Sequence, residues 1–105
     1  MKVYLSPLAK FKLEILLEYL ELEWGASVKF NYLELFKQKS VQISEFPHSN
    51  PKMQYYENVL KCVVTAQSSF YYRILESEIE IITITDNRQN PEKVLSEIKK
   101  HFRSE

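Results

Sequence analysis

Residues 59–85 read VLKCVVTAQSSFYYRILESEIEIITIT, and this stretch decides the fold. Val59–Ala66 and Phe70–Leu75 are rich in β-branched and aromatic side chains and are split by Gln67-Ser68-Ser69. Glu78–Thr85 is a third such run, set off by the Glu76-Ser77 turn. Such residues fit a pleated, half-buried surface, and short polar breaks between them mark hairpins. Three strands joined by tight turns make an antiparallel meander. Side chains alternate along a strand, so Phe70, Tyr72 and Ile74 share one face while Tyr71, Arg73 and Leu75 share the other. The all-apolar set is the better candidate for burial under helices. Arg73 is then expected on the opposite face, left open with Tyr71 and Leu75, and a slip of one residue would reverse the assignment.

Working outward from the meander, Pro47 and Pro51 bracket a loop holding His48, Ser49 and Asn50. Before this loop the apolar period is helical. Ser6-Pro7 is a helix start, because serine accepts from free amides and proline suits the first helical position. Leu13, Leu16, Leu17, Leu20 and Trp24 recur at helical spacing, which predicts a helix from Pro7 to Trp24. Ile15, Tyr19 and Leu22 add a second apolar row, so the buried stripe is expected to be wide. Gly25 follows as the stop, and Ser27 is expected to cap a second helix reaching Glu45 through Phe30, Leu33, Phe36 and Ile43. So short a link predicts an antiparallel helical hairpin. Lys2–Leu5 alternates as a first strand and is expected to join the sheet. Beyond the meander, Asn90-Pro91 repeats the cap signal for a last helix carrying Val94, Leu95, Ile98 and Phe102. The prediction is one α+β domain over residues 1–105, two-layered, in the order β-α-α-β-β-β-α. Its antiparallel sheet carries the helical hairpin on one face, and the C-terminal helix is short.

Composition narrows the function classes. The sole glycine, Gly25, excludes a glycine-rich phosphate loop. Basic and acidic residues number 14 each and are spread evenly, with 7 and 6 in residues 1–52 and 7 and 8 in residues 53–105. A protein that holds nucleic acid by neutralising phosphates is expected to be basic, so this balance counts against autonomous binding of that kind. Cys62 is the only cysteine, which excludes an internal disulfide, and its apolar neighbours suggest a buried thiol. Lys10, Lys12 and Glu14 interrupt the segment where a secretory leader would need an uncharged run, and no stretch is long enough to span a membrane. A cytoplasmic protein with no membrane association is expected.

Catalytic constellations are mostly missing. His48 and His101 sit apart from other ligand types, so no metal and no cofactor are expected. Glu14, Glu18, Glu21 and Glu23 read as a solvated helix face. No confident catalytic residue emerges. Arg73 and Arg88 are the informative basic residues, since adjacent strands of a meander bring them near one another, and two arginines suit an anionic partner. Local salt bridges to Glu80 or Asp86 are the simpler use of the same residues.

The order of elements, the Tyr4-Leu5-Ser6-Pro7-Leu8-Ala9 opening and the Leu13, Ile15, Tyr19 pattern resemble the RelE/ParE toxins of bacterial toxin–antitoxin pairs, also called plasmid stabilisation proteins. The Phe70-Tyr71-Tyr72-Arg73-Ile74 strand and the Asn87-Arg88-Gln89-Asn90-Pro91 ending belong to the same likeness, the latter resembling a ParE-like branch. The resemblance implies a type II toxin neutralised by a cognate antitoxin protein, as a homodimer or as a heterotetramer with it. Tyr71, Arg73, Arg88 and Gln89 are the residues it implies for target or antitoxin binding. For the ParE-like branch it implies inhibition by protein–protein binding, with DNA gyrase the best-known target. The RelE-like alternative is a ribosome-dependent mRNA endonuclease. Val64 and Ala66 stand where that group has lysines, and its C-terminal tyrosine position falls near Val94, which places the ParE-like reading ahead. A degenerate, non-toxic member that only binds an antitoxin is a further alternative.

Overall fold

The computed structural model describes residues 1–56, 58–88 and 90–104. In chain order the elements are β1 (Lys2–Leu5), α1 (Pro7–Trp24), α2 (Ala26–Glu45), β2 (Val59–Val63), β3 (Ser68–Ile74), β4 (Glu78–Asp86) and α3 (Pro91–Arg103). The α+β order is the one read from the sequence. The sheet runs β1-β4-β3-β2. β2, β3 and β4 form the expected antiparallel meander. β1 joins it parallel to β4, with Lys2–Leu5 alongside Glu78–Ile81, so the sheet is mixed. A parallel neighbour needs a long crossover, and the helical hairpin with β2 and β3 supplies one.

Local chemistry fixes the helix ends. Ser6 Oγ accepts from the Ala9 amide at 3.1 Å, capping α1 ahead of Pro7. Gly25 stands between the helices with φ 94°, a backbone conformation that favours glycine. Its amide donates to the Glu21 carbonyl at 3.0 Å and its carbonyl accepts from Lys29 at 3.3 Å. One residue thus ends α1 and begins α2. The expectation that Ser27 caps α2 is corrected, because the Gly25 carbonyl has already started the helix and Ser27 lies within its first turn.

The hairpin covers one sheet face. Ala9, Tyr32, Phe36 and Ile43 pack against Leu60, Phe70, Tyr72 and Ile79, with Leu13, Leu16, Leu17 and Leu20 around them. Phe70 and Tyr72 are fully buried there and Ile74 packs at the margin, as the strand alternation predicted. Two expectations about the helices are corrected. Phe30 is 60% exposed and Tyr32 is buried in its stead, with its hydroxyl 2.7 Å from Ser68 Oγ. Ile15, Tyr19 and Leu22 are also exposed, since the four leucines already fill the width that a helix can press onto a sheet.

The opposite face is covered as well. Val94 and Ile98 of α3 pack on Val59, Tyr71 and Ile82, joined by Met53, Tyr56 and Phe102. The expected open face at Tyr71 and Arg73 is therefore corrected. Periodicity alone showed that α3 is amphipathic and could not show which surface its apolar side would take.

A bulge in β4 reconciles the two faces. Tyr71 pairs with Thr83 and Tyr72 with Ile81, leaving Ile82 as the extra residue. Ile79 and Ile81 point under the hairpin, Ile82 joins the α3 side, and after it Ile84 returns to the hairpin side. Ser6 secures the bulge: its amide donates to the Ile81 carbonyl at 2.9 Å and its Oγ to the Ile82 carbonyl at 2.6 Å. Ser6→Ala removes a buried hydroxyl that caps a helix and satisfies a bulge carbonyl. It is expected to lower unfolding stability by about 2 kcal/mol, measured by urea denaturation; a loss under about 0.5 kcal/mol would contradict this role.

Candidate functional site

The structure separates the two arginines that the sequence suggested were neighbours. Arg73 pairs across the ladder with Glu80, near the start of β4. Arg88 follows the end of β4, six residues beyond Glu80 at the Asp86 terminus, which amounts to roughly 20 Å of extended chain. Arg73 Nε donates to Glu80 Oε1 at 2.8 Å, and His101 Nε2 lies 2.9 Å from the same oxygen. The guanidinium also stacks 5.1 Å from the centre of the Phe102 ring. The Arg73, Glu80 and His101 side chains retain 14%, 8% and 16% of their exposure, so this cluster clamps the last turns of α3 to the sheet. Tyr71 is buried beside it, and burial pushes its hydroxyl above the usual range. Leu75 is half-buried. Gln89 lies outside the described residues. His101, missed as a functional residue in the sequence, had only helical spacing from Ile98 and Phe102 to place it near the sheet.

Arg88 is exposed and forks onto Asp86, with Nη2–Oδ2 at 2.8 Å and Nε–Oδ1 at 3.1 Å. That side-chain bond, helped by the Arg88 amide, draws the Asp86 carboxyl down to about 2. This is the local salt bridge that the sequence offered as the simpler reading.

The larger feature is a groove between the helical hairpin and α3, holding about 2050 Å³. Its first wall is the unburied side of the hairpin: Leu8, Phe11, Ile15, Tyr19, Trp24 and Val28. Phe11, Ile15, Tyr19 and Trp24 are each at least half exposed. Phe11, Ile15 and Tyr19 are four residues apart on one stripe of α1, which includes Ile15 and Tyr19 of the second apolar row read from the sequence and which the sheet leaves uncovered. The second wall is the polar face of α3, with Lys93, Ser96, Glu97, Lys100 and Ser104 at helical intervals. Ile84 and Thr85 lie on the floor. Lys12 reaches across from α1 to Glu97, and Thr83 Oγ1 bonds both, at 3.2 Å to Lys12 and 3.0 Å to Glu97. The bulge turns Thr83 toward this bridge.

A contiguous exposed apolar stripe of this size marks a surface that meets another molecule. Among the described residues, no group of three or more His, Cys, Asp or Glu side chains has a metal-holding arrangement, and no helix is long and apolar enough to cross a membrane.

No protein-family model matches the chain, and a search of curated proteins finds no match. Solved structures do share its architecture. A chain of the chromosomal ParDE TA system from P. aeruginosa matches with a TM-score of 0.65 and 13% sequence identity, over 82% of this chain and 95% of that one. The two chains have one fold. The likeness spans the neighbour almost entirely.

The Asp86–Arg88 fork gives a direct titration test. A carboxyl lowered in the folded state contributes stability above its ordinary value near about 3.9, and that contribution is lost as pH falls through about 2. Carbon-detected NMR of Asp86 is expected to show a midpoint near about 2, and Arg88→Ala is expected to return it toward the ordinary range. A midpoint unchanged by the substitution would show that Arg88 does not hold the carboxylate.

Proposed function

We propose that this chain is the toxin of a type II toxin–antitoxin pair, of the ParE-like kind, acting in the cytoplasm and neutralised by a cognate antitoxin. The observation that carries the reading is the shared fold with a chain of a ParDE TA system, over nearly the whole of that chain. The unpartnered apolar wall of the groove supports it, because a neutralising protein needs such a surface to cover. The toxin is expected as a homodimer or as a heterotetramer with the antitoxin.

Inhibition by protein–protein contact, with DNA gyrase as the candidate target, fits the chemistry better than catalysis. The residue best suited to steady a phosphate, Arg73, is bound to Glu80 and stacked on Phe102. A ribosome-dependent mRNA endonuclease would need that guanidinium released from Glu80 and Phe102 to meet a phosphate. Arg88 keeps a place as a contact residue because it lines the groove and is exposed. Arg73 and Tyr71 contribute from below, by holding α3 where it forms the second wall.

Induced expression is expected to arrest bacterial growth, and co-expression of the cognate antitoxin is expected to relieve the arrest. Purified toxin is expected to inhibit gyrase supercoiling and to leave mRNA intact in a translating extract. Codon-positioned cuts abolished by Arg73→Ala would replace this reading with the endonuclease. Antitoxin binding without any growth arrest would mark a non-toxic member. Ile15→Asp combined with Tyr19→Asp, both on the exposed stripe, is expected to weaken antitoxin binding by about 30-fold or more, measured by calorimetry.

A further inference from the structure

The zero net charge of the chain conceals an uneven distribution over its helices. Exposed Glu14, Glu18, Glu21 and Glu23 all stand on α1. On α3 the balance is reversed. Lys93, Ser96, Lys100 and Arg103 recur at intervals of three or four residues and form one outward stripe, opposite the buried Val94 and Ile98, with Lys99 beside it. The carboxylates of α3 do not neutralise this stripe: Glu97 is held by Lys12 and Thr83, and Glu92 stands in the first turn, seven residues before Lys99. Among the described residues, Lys93, Lys99, Lys100 and Arg103 have no carboxylate within ion-pair distance.

A structural use of these side chains covers only part of the stripe. A cation in the last turn complements the helix dipole, which accounts for Lys100 and Arg103, but Lys93 lies in the first turn, where the dipole repels it. The shape of the stripe narrows what it can meet. It is a convex ridge on a helix without Asn or Gln, and the one aromatic of α3, Phe102, is turned inward against Tyr56 and Arg73. Stacking on unpaired bases and amide readout of base edges are therefore not available to it. What it offers is attraction to a row of fixed negative charges. Lys93 to Arg103 spans about 15 Å, and one strand of a DNA duplex places about four phosphates along that length.

We propose that the outward stripe of α3 is a contact for the phosphate backbone of duplex DNA, made without regard to base sequence. The choice of DNA rests on the reading of the chain as an inhibitor of an enzyme that handles DNA, since that enzyme would bring the stripe to a duplex. Few phosphate contacts and a chain of zero net charge give a weak hold with no long-range attraction. The stripe therefore adds to an attachment made by protein–protein contact and does not recruit DNA alone. This agrees with the balanced composition, which speaks against autonomous binding. Lys99 and Arg103 lie outside the groove lining, so the DNA contact can be altered without touching the groove.

Fluorescence anisotropy of a labelled duplex of about 20 base pairs, titrated with the full chain, tests the contact without any protein partner. Binding is expected at about 20 mM salt, where screening is slight, and is expected to weaken with a log–log salt slope of about −3.6, the value for about four phosphate contacts. K99Q/R103Q is expected to bring the slope to about −1.8, while K10Q/K37Q, on the exposed side of the hairpin, is expected to leave it unchanged. All four substituted side chains are exposed, so both variants are expected to keep the wild-type thermal melt, which circular dichroism checks. No binding to the duplex at low salt, or one slope shared by wild type and K99Q/R103Q, would overturn the proposal. So would tighter binding of a single strand of the same length, or of polyglutamate of equal charge, because the stripe would then belong to another partner. Growth arrest and inhibition of supercoiling read the toxin assignment independently, so the two can fail separately.

Discussion

Ser6 holds three parts of the protein in register at once. Its hydroxyl accepts from the Ala9 amide and donates to the Ile82 carbonyl, while its own amide donates to the Ile81 carbonyl. The first contact starts α1; the other two satisfy the backbone where β4 carries its extra residue. That bulge lets one strand serve two cores. Ile79, Ile81 and Ile84 reach the hairpin side, and Ile82 reaches α3. Without the extra residue, Ile84 would fall on the α3 side and leave a gap opposite Phe70, its ladder partner. Burying both faces of β4 therefore requires the bulge, and the bulge requires a donor at position 6.

The consequences run outward from β4 to the groove. Because α3 occupies the second sheet face, that face is closed, and Arg73 becomes part of a clamp with Glu80, His101 and Phe102. Because the four leucines of α1 suffice for the sheet, the adjoining row of Phe11, Ile15 and Tyr19 has nothing to cover it. The two surfaces left over, one apolar and one basic, face each other across the groove. The exposed, unpartnered side chains are thus found beside the sheet and not on its face.

Much of the architecture was legible in the sequence because its signals are local. Ser6-Pro7, Gly25 and Asn90-Pro91 are chemical punctuation, and they place the limits of α1 and the starts of α2 and α3. Alternation in Phe70-Tyr71-Tyr72-Arg73-Ile74 assigned β3 to its faces. The bulge left a visible trace, the adjacent Ile81-Ile82 that interrupts an otherwise regular alternation, but an unbroken apolar run is equally consistent with a strand buried on both faces. The candidate site was less legible because it depends on distant packing. That Arg73 and Arg88 lie on neighbouring segments is a matter of chain order; that they stand about 20 Å apart follows from ladder register. Likewise the second row of α1 reads as core by composition, and only the finished packing leaves it exposed.

Hydrogen exchange on the chain alone and in complex with the proposed antitoxin tests the central claim most directly, that recognition lies in the groove and not on the sheet. The account predicts slowed exchange in residues 8–24 and 93–104 on complex formation, with residues 68–74 unchanged. Protection at residues 68–74 accompanied by faster exchange in α3 would contradict it, since the partner would then have displaced α3 and bound the sheet face beneath.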